Sequence, residues 1–252
     1  MSEDNILTTE GLTKSFGGFV AVRNVDLRVR RGTIHAVIGP NGAGKTSLFN
    51  LLTKTYPPTS GRIVFDGRDI TAMKPYDVAR IGLVRSFQIS AIFPRLTVRE
   101  NVRVALQGKT DESYAFWRSG KTLRRLDARV DELLAVVDLT GFADSPAVQL
   151  PYGRKRALEI ATTIALEPTL LLLDEPMAGL SRQDIARIAQ LIRQLAADRT
   201  ILMVEHNLSV VSDLSDRITV LSRGEVLAEG TYQEVSTMPR VQEAYIGGVH
   251  AA

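Results

Sequence analysis

The chain has 252 residues and no cysteine, with 44% hydrophobic residues, 23% charged residues and a formal net charge of +3. These values are typical of a globular protein and exclude disordered chains, disulfides and thiolate catalysis, and the charge is too small to argue for nucleic acid. No apolar run approaches the roughly 18 residues of a spanning helix, and the acidic residues 2–4 do not fit a signal peptide. We therefore expect a cytoplasmic protein that acts at a membrane only peripherally.

The N-terminal quarter of the chain combines two patterns. Short alternating segments between Leu7 and Phe65 predict antiparallel strands, with Val25, Leu27 and Val29 on one face. The apolar run 34–38 instead predicts a buried strand, followed by a glycine loop and a helix with apolar residues at 48–52.

The middle of the chain is predicted to be helical. Thr97 and Glu100 fit a capping box, and apolar residues recur at helical spacing from Leu123 to Val137. The polar stretch 109–121 between these helices predicts an exposed loop or insertion. A basic run that begins within this stretch is interpreted as a solvated helix face, with contact to a partner or to anionic lipid as the alternative: Arg118, Lys121, Arg124, Arg125 and Arg129.

The last third alternates strand and helix patterns, which is typical of a parallel sheet. Residues 170–173 and 201–204 predict buried strands, and residues 185–195 predict an amphipathic helix between them. A hairpin is predicted around Arg223 and Gly224.

A phosphate-binding loop is the strongest functional signal, because the sequence fits G-x-x-x-x-G-K-[ST] between a predicted strand and helix. Its residues are Gly39, Pro40, Asn41, Gly42, Ala43, Gly44, Lys45 and Thr46, with Ser47 directly after them. The glycines let backbone N–H groups close around phosphate oxygens, and the helix N-terminus adds its positive dipole end. Lys45 is expected to reach the β- and γ-phosphates, and Thr46 to bind Mg²⁺.

Two carboxylates, Asp174 and Glu175, follow the predicted strand 170–173. Ligands of parallel sheets bind at the carboxyl ends of the strands, so both carboxylates are expected beside the phosphate loop. Asp174 is predicted to hold Mg²⁺ directly or through water, and Glu175 to polarise the attacking water.

Further motifs follow in a fixed order along the chain: Ser86-Phe87-Gln88, Leu150-Pro151-Tyr152-Gly153-Arg154, Asp174-Glu175-Pro176, Ala178-Gly179-Leu180-Ser181 and Glu205-His206. With the phosphate loop, this series resembles the nucleotide-binding subunits of ABC transporters over almost the whole chain. The resemblance implies that Phe16 stacks on adenine, that Gln88 senses Mg²⁺ and the transmembrane partner, and that His206 contacts the γ-phosphate. It also implies that residues 150–154 are the signature motif, whose backbone amides at Tyr152 and Gly153 face the phosphates.

The resemblance implies an α/β fold with a P-loop NTPase core and a mostly parallel sheet, an N-terminal antiparallel β subdomain and an inserted α-helical subdomain. The whole chain, 1–252, would be one nucleotide-binding domain. Residues 1–90 and 165–252 would form the core with the antiparallel subdomain, and residues 91–164 the helical signature subdomain. ATP and Mg²⁺ are the implied ligands.

Longer strings narrow the resemblance to one branch. They are the segments 93–101, 151–160, 205–208 and 243–247. They look like the larger ATPase subunit of branched-chain amino acid uptake systems, although ATPases for urea or amide uptake and for lipopolysaccharide export share much of this pattern. A soluble ABC ATPase acting on ribosomes or DNA is disfavoured by the single phosphate loop and the length, and a module without hydrolysis by Glu175 and His206.

The implied assembly is a homodimer, or a heterodimer with a paralogous ATPase, on the cytoplasmic face of the cell membrane. Two transmembrane permease subunits, and indirectly a periplasmic solute-binding protein, would complete it. Departures from the family pattern lie at Pro151, Tyr152 and Arg154 of the signature, which usually reads Leu-Ser-Gly-Gly-Gln, and at Ser181, where aspartate is usual.

Overall fold

The computed structural model describes residues 4–86, 92–109 and 120–247. The strands in these ranges are β1 (Asn5–Phe16), β2 (Phe19–Val25), β3 (Arg28–Arg30), β4 (Ile34–Ile38), β5 (Ser60–Phe65), β6 (Arg68–Asp69), β7 (Leu83–Ser86), β8 (Leu170–Asp174), β9 (Thr200–Val204), β10 (Arg217–Ser222) and β11 (Glu225–Gly230). The helices are α1 (Lys45–Leu52), α2 (Pro75–Arg80), α3 (Val98–Lys109), α4 (Gly120–Val136), α5 (Tyr152–Ile164), α6 (Arg182–Leu195), α7 (Leu208–Leu214), α8 (Tyr232–Ser236) and α9 (Pro239–Gly247).

The N-terminal strands form an antiparallel sheet, as the alternating pattern predicts. Its order is β2-β1-β5-β6, with β3 also paired to β1. Val25, Leu27 and Val29 are fully buried beneath it. The prediction of antiparallel strands from Leu7 to Phe65 is confirmed.

A second sheet of six strands has the order β11-β10-β4-β9-β8-β7. The pairs β10–β4, β4–β9, β9–β8 and β8–β7 are all parallel, and β11 is added antiparallel through the predicted hairpin. The strand β4 therefore lies between two strands from the last third of the chain. All five of its residues are buried, which explains an apolar run that only His35 interrupts.

Both faces of β4 belong to the core. Ala36 and Ile38 pack with the helices of the middle and C-terminal parts of the chain, whereas Val37 packs with α1 and the antiparallel sheet. Successive side chains of a strand point to opposite faces, so this one strand joins the two apolar clusters.

The helical middle of the chain is confirmed, and its start is capped as predicted. Thr97 N–H donates to Glu100 Oε2 at 2.7 Å, and Glu100 N–H donates to Thr97 Oγ1 at 3.2 Å. The expected loop at 109–121 was too wide, because Lys109 belongs to α3, and Gly120 and Lys121 belong to α4. Trp117 and Arg118 lie outside the described residues. Arg129, on the predicted basic face, is partly exposed and pairs with Glu132.

His35 of β4 predicts a pH dependence of stability. It is fully buried, with Nε2 at 2.8 Å from Thr219 Oγ1. Burial, and secondarily the charge of Arg217, lower its pKa from 6.5 to about 4. Between these two values the unfolded chain binds more protons, so stability falls as the pH falls, by about 3 kcal/mol in all.

The measurement is urea unfolding at pH values from 4.5 to 7.5. Carboxylates that also titrate in this range are shared by wild type and His35→Gln, which removes only the imidazole. We expect the wild-type free energy of unfolding to fall more steeply below pH 6.5 than that of His35→Gln. Parallel pH profiles for the two proteins would contradict the prediction.

Candidate active site

The phosphate-loop residues lie between the end of β4 and the first turn of α1, in the strand–loop–helix context that the motif requires. The loop is held from outside by the β10–β11 turn, where Gly224 N–H donates to the carbonyl oxygen of Ala43 at 3.0 Å. Asn41, Gly42 and Thr46 are exposed, and Ser47 is half-buried.

Two glycines of the loop are required by their surroundings. Gly39 has φ 153°, and a Cβ there would overlap the carbonyl oxygen of Leu221. Gly44 caps α1 with φ 99°, and a Cβ there would press on the carbonyl oxygen of Ala21. Both positions combine a positive φ with backbone on the Cβ side, so only glycine fits.

Lys45 is a buried cation at the start of α1. Its Nζ donates to the carbonyl oxygens of Gly39 at 2.7 Å and Pro40 at 3.0 Å, so the side chain folds back over the loop. Burial lowers the pKa of its ammonium, while the carboxylates of Glu175 and Asp174 act in the opposite direction. Both carboxylates therefore lie within electrostatic reach of Lys45, as the sequence predicts.

Asp174 is the last residue of β8 and is itself almost fully buried. Its Oδ2 accepts a hydrogen bond from the Arg85 guanidinium of the neighbouring strand β7. A buried carboxylate needs such a charged partner, because a charge that is removed from water and left unpaired is costly.

Glu175 follows in a strained backbone conformation, with φ 45°. Its N–H donates to the carbonyl oxygen of Val204 at 2.9 Å, and its own carbonyl oxygen accepts from Arg156 Nη2 at 2.7 Å. A non-glycine residue with positive φ is uncommon and persists only where its surroundings hold it.

Arg156 is a site residue that the sequence reasoning missed. It is buried in α5, where Nη2 also donates to the carbonyl oxygen of Asp174 at 2.8 Å and Nε donates to that of Pro176 at 3.1 Å. Its Nη1 binds Glu159 at 2.7 Å. One guanidinium thus clamps three consecutive carbonyl groups where β8 ends. The available signal was an Arg–Glu pair inside a largely apolar helix.

Glu205 was quoted in a motif but given no role. It is fully buried after β9, and Oε1 accepts from Met177 N–H at 2.9 Å. Its Oε2 accepts from the N–H groups of His206 at 3.0 Å and Asn207 at 3.2 Å. The carboxylate therefore ties the turn after Glu175 to the backbone of His206, whose side chain is exposed.

Phe16 lies at the end of β1 with 42% of its surface exposed. Its ring meets that of Tyr56 edge to face at 5.4 Å, and Lys14 Nζ lies 5.0 Å from its centroid. Tyr56 and Lys14, which the sequence reasoning did not name, thus hold the ring of Phe16 in place.

The altered signature begins α5, with Pro151 as the N-cap residue. Tyr152 Oη donates to the carbonyl oxygen of Ala178 at 3.3 Å, and the Asp184 carboxylate packs so closely on buried Gly153 that a Cβ there would collide with it. Arg154 points elsewhere, to Asp138 at 2.7 Å. Ser181 caps α6, accepting from Asp184 N–H at 3.2 Å.

Gln88 lies outside the described residues. Of the apolar stretch 88–94 around it, Phe93 is 52% exposed, but Ile92 is half-buried against the core.

The donor set fits Mg²⁺. Within 4–86, 92–109 and 120–247, no three or more His, Asp and Glu side chains form a metal site by themselves. Mg²⁺ in nucleotide sites usually takes only one or two protein oxygens and completes its shell with phosphates and water. The Thr46 hydroxyl and the Asp174 carboxylate are oxygen ligands of this kind.

Comparison with known proteins decides the family. Residues 22–178 match the ABC transporter family, and residues 225–251 match the branched-chain amino acid ATP-binding cassette transporter family. This chain belongs to the ABC transporter family. It is accordingly an ATP-binding subunit with the P-loop ATPase fold, of the kind that works with membrane permease components.

Two relatives resemble this ABC subunit over nearly its whole length. The high-affinity branched-chain amino acid transport ATP-binding protein BraF of Pseudomonas aeruginosa is 39% identical, covering 96% of this chain and 98% of the relative. LivG of Salmonella typhimurium, with the same description, is also 39% identical at the same coverage of both chains.

Solved structures agree with this family. The ADP conformation of the ATP-binding cassette MJ1267 matches with a TM-score of 0.86 and 30% identity, over 96% of this chain and 99% of that one. The dimeric post-hydrolysis state of MJ0796 bound to ADP and Pi matches with a TM-score of 0.77 and 27% identity, over 90% and 98%. Among the described helices of this chain, none is long and apolar enough to cross a membrane.

Proposed function

We propose that this chain is the ATP-hydrolysing subunit of an importer for branched-chain amino acids. The observation that carries the proposal is the match of residues 225–251 to the branched-chain cassette family, beyond the part that all ABC transporters share. The names of BraF and LivG point to the same class of substrate. Urea or amide uptake and lipopolysaccharide export are the competing substrate classes.

The phosphate loop, 39–47, binds the phosphates of ATP, with Lys45 released from the loop carbonyls to reach the β- and γ-phosphates. Phe16 stacks on adenine. Glu175 takes a proton from the attacking water while the oxygen of that water bonds to the γ-phosphorus. The bond between the γ-phosphorus and the bridging oxygen breaks, and that oxygen stays on the β-phosphate of ADP. His206 contacts the γ-phosphate, and Gln88 reports the site's state to the transmembrane partner. These roles fit general-base catalysis of phosphoryl transfer.

Thr46, Asp174 and Gln88 are the residues proposed to hold Mg²⁺, which would neutralise charge that develops on the phosphate oxygens. Arg85 binds Oδ2 of Asp174, so the other carboxylate oxygen can bind a metal or accept hydrogen bonds. Thr46 stands at the first turn of α1, beside the loop that holds the phosphates.

Two chains, either copies or paralogues, would close head to tail over two ATP molecules. The amides of Tyr152 and Gly153 would then complete the site of the opposite subunit. The dimeric structure of the similar cassette MJ0796 supports the pairing of two chains. Two permease subunits and an extracytoplasmic solute-binding protein complete the proposed assembly, with this chain on the cytoplasmic face.

The two proposed subdomains occupy different ranges of the chain. Residues 1–90 and 165–252 form the ATP-binding core with its antiparallel subdomain, and residues 91–164 form the helical signature subdomain. The contact of α5 with the end of β8 joins these two parts, because Arg156 lies in one and Glu175 in the other.

The proposal is tested by uptake into proteoliposomes that contain this chain, a paralogous ATPase and their permeases, with binding protein outside. We expect ATP inside the vesicles to drive uptake of radiolabelled leucine, isoleucine and valine. Vesicles prepared with Glu175→Gln serve as the control without hydrolysis. Uptake of urea or acetamide in place of the amino acids would transfer the proposal to that class. ATP-driven uptake of none of these solutes would oppose it.

Replacement of Phe93 by a charged residue is expected to weaken binding of the chain to its permeases. Phe93 is an apolar ring exposed at the start of the helical region, and such rings anchor protein interfaces. We expect Phe93→Asp to lose membrane association by about tenfold or more, with ATPase activity of the isolated chain within about twofold of wild type.

The measurement is co-sedimentation with permease-containing vesicles. Tyr76→Asp is the matched control, because Tyr76 is an equally exposed aromatic residue on α2. Retained association of Phe93→Asp would place the permease contact elsewhere on the chain.

A further inference from the structure

Arg85 is a buried guanidinium that none of the motifs accounts for. Its side chain is 11% exposed, and that of its partner Asp174 is 9% exposed. β7 runs parallel to β8, with Arg85 opposite Leu172, so the long side chain reaches forward to the residue where β8 ends. A buried charge pair is costly to desolvate, and stability alone is a weak reason for its presence.

The guanidinium joins three elements of the site. Nη2 donates to Asp174 Oδ2, Nη1 donates to Asn50 Oδ1 at 2.6 Å, and the group lies 5.7 Å from the centre of the Phe49 ring. Asn50 and Phe49 belong to α1, the helix that begins at Lys45. Arg85 therefore connects the phosphate-loop helix to the carboxylate assigned to Mg²⁺.

A fixed positive charge on a metal-binding carboxylate has two opposite effects. It holds the carboxylate in place, which prepares the ligand, but it also repels any cation that approaches the same group. Lys45 adds to this repulsion, since it too lies within electrostatic reach of Asp174. ATP brings negative charge that offsets both cations.

We propose that Arg85 is a positioning residue that occupies Asp174 until nucleotide arrives, so that Mg²⁺ enters with ATP and not before it. The inference rests on the proposed role of Asp174 toward Mg²⁺. Arg85 suppresses the affinity of the nucleotide-free protein for divalent cations and keeps the site from filling with metal alone.

The test measures binding of Mn²⁺ to nucleotide-free protein from the electron paramagnetic resonance signal of the free ion. We expect Arg85→Met to bind Mn²⁺ at least about tenfold more tightly than wild type, because one neighbouring positive charge is gone. Arg85→Lys keeps the charge and should remain within about threefold of wild type. The double variant Arg85→Met with Asp174→Asn should lose the gain.

Control and stability measurements separate this effect from general damage. Arg193→Met removes an exposed arginine that pairs with Asp213 and should change neither metal binding nor stability. Arg85→Met should lower the melting temperature in EDTA by about 5–10 °C, because it leaves Asp174 without its guanidinium, and added Mg²⁺ should restore part of that loss.

Unchanged Mn²⁺ affinity in folded Arg85→Met would overturn the proposal, as would an equal gain in Arg85→Lys. If Arg85→Met does not fold, wild type decides: nucleotide-free wild type that binds Mn²⁺ at least about tenfold more tightly than Asp174→Asn would overturn it too. The proposed function fails separately, if Asp174→Asn retains the wild-type Mg²⁺ dependence of ATP binding.

Discussion

Glu175→Gln is expected to lower ATP turnover by about 10²–10⁴-fold while leaving ATP binding near its wild-type strength. The substitution keeps the size of the side chain but removes its negative charge and its ability to take a proton. Binding rests instead on the phosphate loop and Lys45, which lie on a different element. With hydrolysis blocked, two chains should remain closed over ATP.

The measurements are steady-state phosphate release, ATP affinity and the molecular mass in ATP by light scattering. Lys45→Ala is the informative contrast, because it should weaken ATP binding itself and leave the protein monomeric in ATP. Glu132→Gln, at an exposed position of α4, controls for the loss of a negative charge. A monomeric Glu175→Gln protein with normal phosphate release would remove Glu175 from the general-base role.

Arg156→Met is expected to destabilise the protein by about 3–5 kcal/mol, since it removes the positive charge that is paired with a carboxylate only 1% exposed, that of Glu159. The same change removes the donor that holds the carbonyl oxygens of Asp174 and Glu175. Turnover should therefore fall as well, because the left-handed conformation of Glu175 loses a support.

Two further variants separate the effect of Arg156 on stability from its effect on the position of Glu175. In Arg156→Met with Glu159→Leu the buried carboxylate is gone, so most of the lost stability should return, whereas turnover should stay about tenfold low. Arg129→Met removes the exposed arginine of another i,i+3 pair and should cost less than about 0.5 kcal/mol. Full recovery of turnover in the double variant would show that Arg156 serves stability alone. Urea unfolding and phosphate release at saturating ATP supply both readouts.

Burial and local geometry explain which elements were predictable. Apart from His35, residues 34–38 and 170–173 are apolar because both faces of their strands are covered. Such a strand can therefore be recognised from its composition alone. Thr97 and Glu100 were predictable because a capping box involves only neighbours in sequence. The start of the polar stretch at Lys109 misled because Lys also favours helices, so α3 ends one residue inside the stretch.

Contacts between distant segments were not predictable from one sequence. An Arg and a Glu three residues apart on a helix usually form an exposed pair, and only the docking of α5 on the end of β8 buries Arg156 and Glu159. The left-handed backbone of Glu175 depends on the same contact. Arg85 is one charge in a four-residue strand, and its meaning comes from the order of β7 and β8 in the sheet.

The position of β4 also bears on how the chain is made. Its neighbours β9 and β10 are encoded far downstream, and the contact of Ile34 with Asp216 spans 182 residues. At a ribosomal rate of about 5–20 residues per second, this distance corresponds to roughly 10–40 s of synthesis. Until β9 has been made, the nascent strand has no parallel neighbour, and its apolar side chains lack the partners that bury them. The phosphate loop that follows β4 therefore acquires its supporting sheet only late in synthesis.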